Sequence, residues 1–345
     1  MSSEPAVAAP RRELPRFPAG RGWLPWAGAV AVLVVLALAP TYLLLDSDQR
    51  TLGSVFMFVV LAQGWNLIGG FAGYPSFGNV VFFGLGGYTT AVLMAKAGAS
   101  FFVTVPAAAA VGAGFALLMG IPILRLRGHY FAIATLGVAE GTREVVINLT
   151  GLTGGGKGIT IPAVGQKATT SYPGNTGFYF YFLTLAVITM LVVWGVAHSR
   201  FGYALRAIAQ DEEAAAAAGI NTTRAKIAAF ALAGLLTSVA GAIYAYQQVS
   251  IYPTRLFSVD ITVLMVVMAV FGGAGTVLGP MIGAVSLEYL SEWLRNNFTD
   301  YHTFVFGAII VIAVLFLPMG VVNFARDAWR ARRIALFKSV QAYRL

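Results

Sequence analysis

Ten apolar runs, each about long enough to cross a lipid bilayer, divide this chain of 345 residues. They fall at 23–45, 51–70, 78–96, 103–124, 129–149, 178–198, 227–248, 259–279, 280–296 and 303–320. A hydrocarbon core of about 30 Å takes roughly 20 helical residues. Lipid offers the backbone no hydrogen-bond partners, so each run must satisfy its own amides by forming a helix. The runs are continuous rather than alternating, which argues against a β-barrel. Composition agrees: 58% of residues are hydrophobic and 11% charged, against about 25% charged in soluble domains. The expected fold is therefore all-α, a polytopic transmembrane bundle of about ten segments (eight to ten). Residues 1–22, with four prolines and four arginines, read as a disordered basic tail. Residues 23–322 read as one transmembrane domain, and 323–345 as a second basic tail.

The net charge is +9, and its distribution fits a membrane protein better than a nucleic-acid binder. Threading the runs from a cytoplasmic N-terminus puts sixteen Lys and Arg on that side, in the two tails, at 125–127 and at 200–226. Six fall on the other side, so both termini are expected inside. No cysteine is present, so disulfides and thiol chemistry are excluded.

Residues 200–226 are the one long polar, Ala-rich stretch between two spans. Ala, Leu, Arg, Gln and Glu favour a helix, and Gly219 with Asn221 beyond it marks the stop. The pattern predicts a short helix, 206–218, at the cytoplasmic surface. Two glycine-rich interruptions stand elsewhere: Gly69-Gly70-Phe71-Ala72-Gly73-Tyr74-Pro75-Ser76-Phe77-Gly78-Asn79 and Gly272-Gly273-Ala274-Gly275. Each follows an apolar run and precedes another, a weak two-half repeat. Opened backbone cannot face lipid, so these segments are expected near the bilayer midplane, lining a pathway or packing helices closely. Asn66 and Asn79 flank the first and are placed to bond its freed groups.

No catalytic constellation stands out, so an enzyme is not expected. His129, His198 and His302 are scattered without metal-ligand spacing. Gly154-Gly155-Gly156-Lys157-Gly158 lacks the spacing and the Ser or Thr of a Walker A loop, so this chain has no ATPase site of its own. Glu140, Arg143 and Glu144 share one helix face at i, i+3 and i+4. Charges in a span are costly unless paired or hydrated. The set is either a polar patch on a pathway or interface, or a self-satisfied structural pair.

Four ordered stretches resemble the permeases of branched-chain amino-acid ABC importers. Asn66-Leu67 through Asn79 is similar to that family's N-L-x-x-G-x-x-G-x-x-S-x-G-(H/N) signature. Arg125 to Leu136 resembles R-x-x-G-x-Y-F-A-I-x-T-L, and Leu152 to Gly158 resembles L-T-G-G-x-x-G. Gly202 to Ile208 with Ala218 to Asn221 match its coupling region, and Glu213-Ala214-Ala215 with Gly219 resembles E-A-A-x3-G. The Leu-Pro that ends the fuller motif of maltose-type importers is missing. The chain looks like the M-type partner of a heterodimeric pair.

The resemblance implies a permease in a bacterial inner membrane, surrounded by lipid. Its partners would be a second permease subunit, two ATP-binding subunits and an extracytoplasmic substrate-binding protein, with no nucleic acid. No cofactor is expected on this chain, since ATP binds the partners. It implies ATPase coupling through Arg206, Asp211, Glu212, Glu213, Ala214, Ala215 and Gly219. Candidates for the translocation pathway are Asn66, Gly69, Gly70, Gly73, Ser76, Asn79, Thr135, Glu140, Gly272, Gly273 and Gly275; no metal site is implied. Branched-chain or other small amino acids are the implied cargo, with urea or short amides as the alternative within the family. An ion-coupled secondary transporter centred on Glu140 is the alternative outside it.

Overall fold

The computed structural model describes residues 34–40, 45–162, 172–298, 301–316 and 320–322. Residues 34–40 are helical and belong to a first unit, Met1–Leu45. The second unit, Asp46–Leu345, holds every other element. The two expected tails lie outside the described residues, as does most of the 23–45 run.

Among the described residues, the regular structure of the second unit is helical apart from one small ladder. Its elements are α1 (Asp46–Gly69), α2 (Val80–Ala97), α3 (Phe101–Ile123), α4 (His129–Asn148), α5 (Thr150–Thr153), a 3-10 turn (Gly155–Lys157) and β1 (Ile159–Thr160). Then come α6 (Gly174–His198), α7 (Arg200–Gln210), α8 (Glu212–Ala217), α9 (Thr222–Gln248), β2 (Ser250–Ile251), α10 (Pro253–Leu256), α11 (Val259–Gly272), α12 (Gly279–Asn297) and α13 (His302–Phe316). Six helical segments are long and apolar enough to cross a membrane: α1, α2, α3, α6, α9 and the stretch Pro253–Gly272. Among the described residues these are six of the about ten segments expected. α4 carries Glu140, Arg143 and Glu144, and α12 carries Glu288, Glu292 and Arg295. Only fifteen residues of α13 are described.

α1 is the hub. Every residue from Val55 to Ile68 is buried, and α1 packs on α6, α9, α11 and α12. A helix apolar on all faces needs neighbours on all faces. A second centre joins α2, α3 and α9. There Ser238 Oγ donates to Phe82 O at 2.8 Å, and a Cβ added to Gly234 would stand 2.8 Å from Gly112 O. Lipid supplies no hydrophobic drive between helices, so close contact through small residues holds them.

Three features differ from the sequence reading. α1 begins at Asp46 rather than 51, because Asp46 and Asp48 in its first turn complement the helix dipole. Gly279-Pro280 does not break a span; Pro280 opens α12, where its missing N–H costs nothing. The break is residues 273–278, ahead of it. The ladder has no counterpart among the expected elements: Ile159 pairs with Ile251 and Thr160 with Ser250, antiparallel.

Candidate functional site

The 200–226 stretch folds as two short helices, not one. Asp211 leaves the helical conformation between them, and its carboxylate accepts from Glu213 N at 2.9 Å and Ala214 N at 3.0 Å. It is an N-cap, which is why the single expected helix divides there. α7 buries Gly202, Leu205 and Ile208 along one side. α8 buries only Ala215, leaving Glu213, Ala214, Ala216 and Ala217 exposed. Gly219 ends α8 at φ 86°. Gly219 N donates to Ala216 O and Ile220 N to Ala215 O, the two bonds of a Schellman stop. Asn221 then caps α9 by accepting from Arg224 N.

A buried ion cluster fastens this foot to the bundle. Lys226, 3% exposed, donates to Glu212 Oε1 at 2.6 Å, Leu124 O at 2.9 Å and Tyr74 Oη at 3.0 Å. All three ammonium protons therefore have acceptors. Tyr74 Oη in turn donates to Glu212 Oε2. Arg127 reaches Glu212 at 3.5 Å and the exposed Glu213 at 2.9 Å. Burial pushes the Glu212 carboxyl up, but the bonds from Lys226 and Tyr74 outweigh it and hold its pKa below the ordinary value of 4.5. Arg206 stands over the rings of Phe71 and Tyr203, at 5.2 and 5.9 Å. No local pattern marks Tyr74, Lys226 and Arg127 as site residues; only their convergence in space does.

The same foot touches the first glycine-rich segment. A Cβ on Gly73 would lie 3.2 Å from Ala209 Cα, and Gly73 has φ 74°, where a side chain is strained. This places the segment at the loop end of a full span. α1 rises about 36 Å over its 24 residues before Gly69. At Gly73 the opened backbone of this segment is covered by the foot, through Ala209.

The two glycine-rich segments meet. Asn66 Oδ1 accepts from Gly275 N at 2.8 Å, and Asn66 Nδ2 donates to Thr276 O at 2.9 Å. Gln63 Nε2 donates to Val277 O at 2.5 Å. A Cβ on Gly70 would stand 2.5 Å from Gly275 N. Asn66 thus serves the second break's freed groups, through the amide geometry expected for the first. Asn79 does not share this role: its side chain is buried and its amide has no partner among the described residues. Ser76 O takes the Trp65 indole proton at 2.8 Å, and Thr135 Oγ1 accepts from Phe77 N at 3.0 Å. Those bonds fix 69–79 from both sides. Gly272 packs on the start of α12, against Gly279 O and Gly283 N.

Glu140 and Arg143 pair at 2.7 Å, and Arg143 reaches Glu144 at 3.2 Å. The charges are half exposed on α4, whose buried seam is Phe131, Thr135, Ala139 and Val146. Exchanging Glu140 and Arg143 together should restore most of the folded, assembled protein that either single charge reversal loses. A double-mutant cycle read by detergent thermal stability checks this; no coupling energy would mean the two are solvated separately.

Helices of membrane length, a capped polar foot and two opposed backbone breaks define a multi-pass membrane protein. Residues 49–314 match the family model described as branched-chain amino acid transport system / permease component, and the chain belongs to that family. It is 28% identical over 317 residues to the high-affinity branched-chain amino acid transport system permease protein LivM of Salmonella typhimurium, covering 85% of this chain and 74% of that one. It is 26% identical to the ribose import permease protein RbsC of Escherichia coli, over 83% of this chain and 90% of that one. The Escherichia coli permease protein LivH is 24% identical, over 79% and 92% respectively. No solved structure matches.

Proposed function

We propose that this chain is one of two permease subunits of a binding-protein-dependent ABC importer in a bacterial plasma membrane. The observation that carries this is the foot: α8 offers an exposed surface of Glu213, Ala214, Ala216 and Ala217 while Lys226 anchors it to the bundle. A part pushed from outside the membrane must be both accessible and rigidly attached. ATP-binding subunits would dock on α7 and α8, with Arg206, Asp211, Glu213 and Gly219 setting the shape of the contact. Movement of the foot would be felt first at Gly73, then at the Gly70–Gly275 crossing, the candidate gate. Glu212 belongs to the attachment rather than to the docking surface.

The amino acid transport named for LivM and LivH supports branched-chain or other small amino acids as the cargo. ATP would be bound by the partners, a second permease would complete the pathway, and an extracytoplasmic protein would select the substrate.

Glu213→Arg tests the reading. Glu213 is 80% exposed, so its reversal should leave insertion and thermal stability unchanged. ATPase activity of the assembled complex, stimulated by binding protein and substrate, should fall severalfold or more. Stimulation at the wild-type level would remove the docking role of α8.

A further inference from the structure

Glu288 takes no part in the foot, in the crossing of the two breaks or in the charge set on α4. α11 runs into the second glycine-rich break and α12 runs out of it, and the two helices pack antiparallel. A Cβ on Gly272 would strike Gly279 O, and one on Gly283 would strike Met268 O. The same register carried six residues further sets Thr262 opposite Tyr289, next to Glu288. Thr262 and Glu288 both belong to the buried faces of their helices, and Glu288 is 8% exposed. It stands nine residues beyond Gly279, about 14 Å along the helix, in the middle of the 280–296 run.

Neither side chain has a partner among the described residues. Thr262 Oγ1 is enclosed without a hydrogen bond, and Glu288 makes no hydrogen bond or ion pair. Arg295, the cation of α12, is engaged with Glu292 at 3.4 Å. The helices packed on α12 are α1, α11 and α13. Their ionisable groups are Asp46, Asp48 and Arg50 on α1, Asp260 on α11 and His302 on α13. Arg50 donates to Asn175 Oδ1 at 3.0 Å, and Asp260 accepts from Ser258 Oγ at 3.1 Å. A buried carboxyl left without a donor is costly, and an acid kept inside a span at that cost marks function. Methionine would fill the same space without the desolvation.

We infer that Glu288 and Thr262 receive the ammonium group of an amino-acid cargo when α11 and α12 part at the break. The inference rests on the importer reading and adds the chemistry of what passes. An ammonium carries three donors and a positive charge, and the carboxylate and hydroxyl are acceptors that lack donors. A sugar or an amide would hydrogen-bond here yet leave the carboxylate without a counter-charge. Met265 and Met268 lie on the same buried face of α11, between Thr262 and the break. Their unbranched thioethers adapt to apolar side chains of different shape. In this structure the helices are closed on the pair. Gly273 and Gly275, at φ 122° and 75°, give the break the freedom to open them.

The test uses the complete transporter in nanodiscs, resting and ATP-bound. The probes are leucine and 4-methylpentanoate, which has the same skeleton without the amine. Saturation-transfer NMR reads weak contacts of this kind, with empty nanodiscs as the blank. In at least one state leucine should give a signal and 4-methylpentanoate none. Glu288→Gln should weaken the leucine contact about tenfold and Thr262→Val severalfold, while Glu288→Asp should keep most of it. Thermal melting establishes that each variant is folded. If Glu288→Gln does not fold, the two probes on the wild type and the Thr262→Val variant decide the matter. Equal signals from the two probes overturn the inference. So does a leucine signal that Glu288→Gln leaves unchanged, or no leucine signal in either state. A wild-type complex that transports no solute with any binding protein would instead overturn the importer reading.

Discussion

Lys226→Met should separate ATP hydrolysis from transport while the protein still inserts. The substitution keeps most of the length and the apolar stem but removes the charge that three acceptors share. Glu212, whose side chain is 14% exposed, would lose its main counter-charge. Removing one partner of a buried ion pair costs about 3–5 kcal/mol, and Arg127 at 3.5 Å offsets part of that. The expected loss is near the lower figure, concentrated where α8 meets α9 and Tyr74. Lys226→Met/Glu212→Gln should recover much of the stability, because no uncompensated carboxylate remains. It should not recover transport, since the tie between foot and segment 70–79 is gone. Thermal melting with transport per ATP in proteoliposomes checks both halves. A Lys226→Met transporter with a wild-type ratio would show that the cluster only holds the fold.

Acid should produce the same release without mutation. The Glu212 pKa is lowered in the fold, so its ionised form contributes stability above its ordinary value of 4.5. That contribution is lost as pH falls through the lower folded value. Glu212→Gln removes the titration, so the wild type should lose stability below about pH 4.5 more steeply than the variant.

Local signals in the chain are readable where the cause is local. Gly219 stops α8, Asn221 caps α9, and Glu140 pairs with Arg143 one turn away, all from spacings of a few residues. The Asp211 cap is also local, yet Ala and Gln before it and Glu and Ala after it hide it behind good helix propensity. Lys226 is not legible, because Tyr74 and Leu124 lie 152 and 102 positions from it. Nothing short of the packed bundle shows that a lysine ending a polar loop turns inward. The contact that covers 70–79 at Gly73 is hidden for a related reason. Opened backbone must be sheltered, and the sequence alone suggests only a pathway or close helix packing as shelters. The foot, packed through Gly73 on Ala209, is another.

Gly70→Leu should abolish transport and leave the foot able to bind its ATPase. Gly70 and Gly275 touch backbone to backbone, and any side chain on Gly70 meets Asn66 Oδ1 and Gly275 N. Overpacking of this kind costs typically about 1–3 kcal/mol. The larger effect is geometric: Asn66 must give up its bonds to Gly275 N and Thr276 O. Asn66→Leu breaks the same bonds without adding bulk at Gly70. It strands a buried donor and acceptor, at about 1–3 kcal/mol for each. If the crossing is the gate, the two variants should fail alike in transport and keep basal ATPase activity. If it is only a packing contact, Asn66→Leu should lose stability and transport in proportion. Cysteine reactivity reads the gate directly, since the chain has no native thiol. Single cysteines at 72–79 and 272–279 should react with a water-soluble maleimide, at rates that differ between resting and ATP-bound complexes. The foot end should change along with the crossing, because Gly73 lies on Ala209 and Gly70 on Gly275. Thiols equally inert in both states at both segments would make the breaks static joints, and the moving part would have to be sought elsewhere in the bundle.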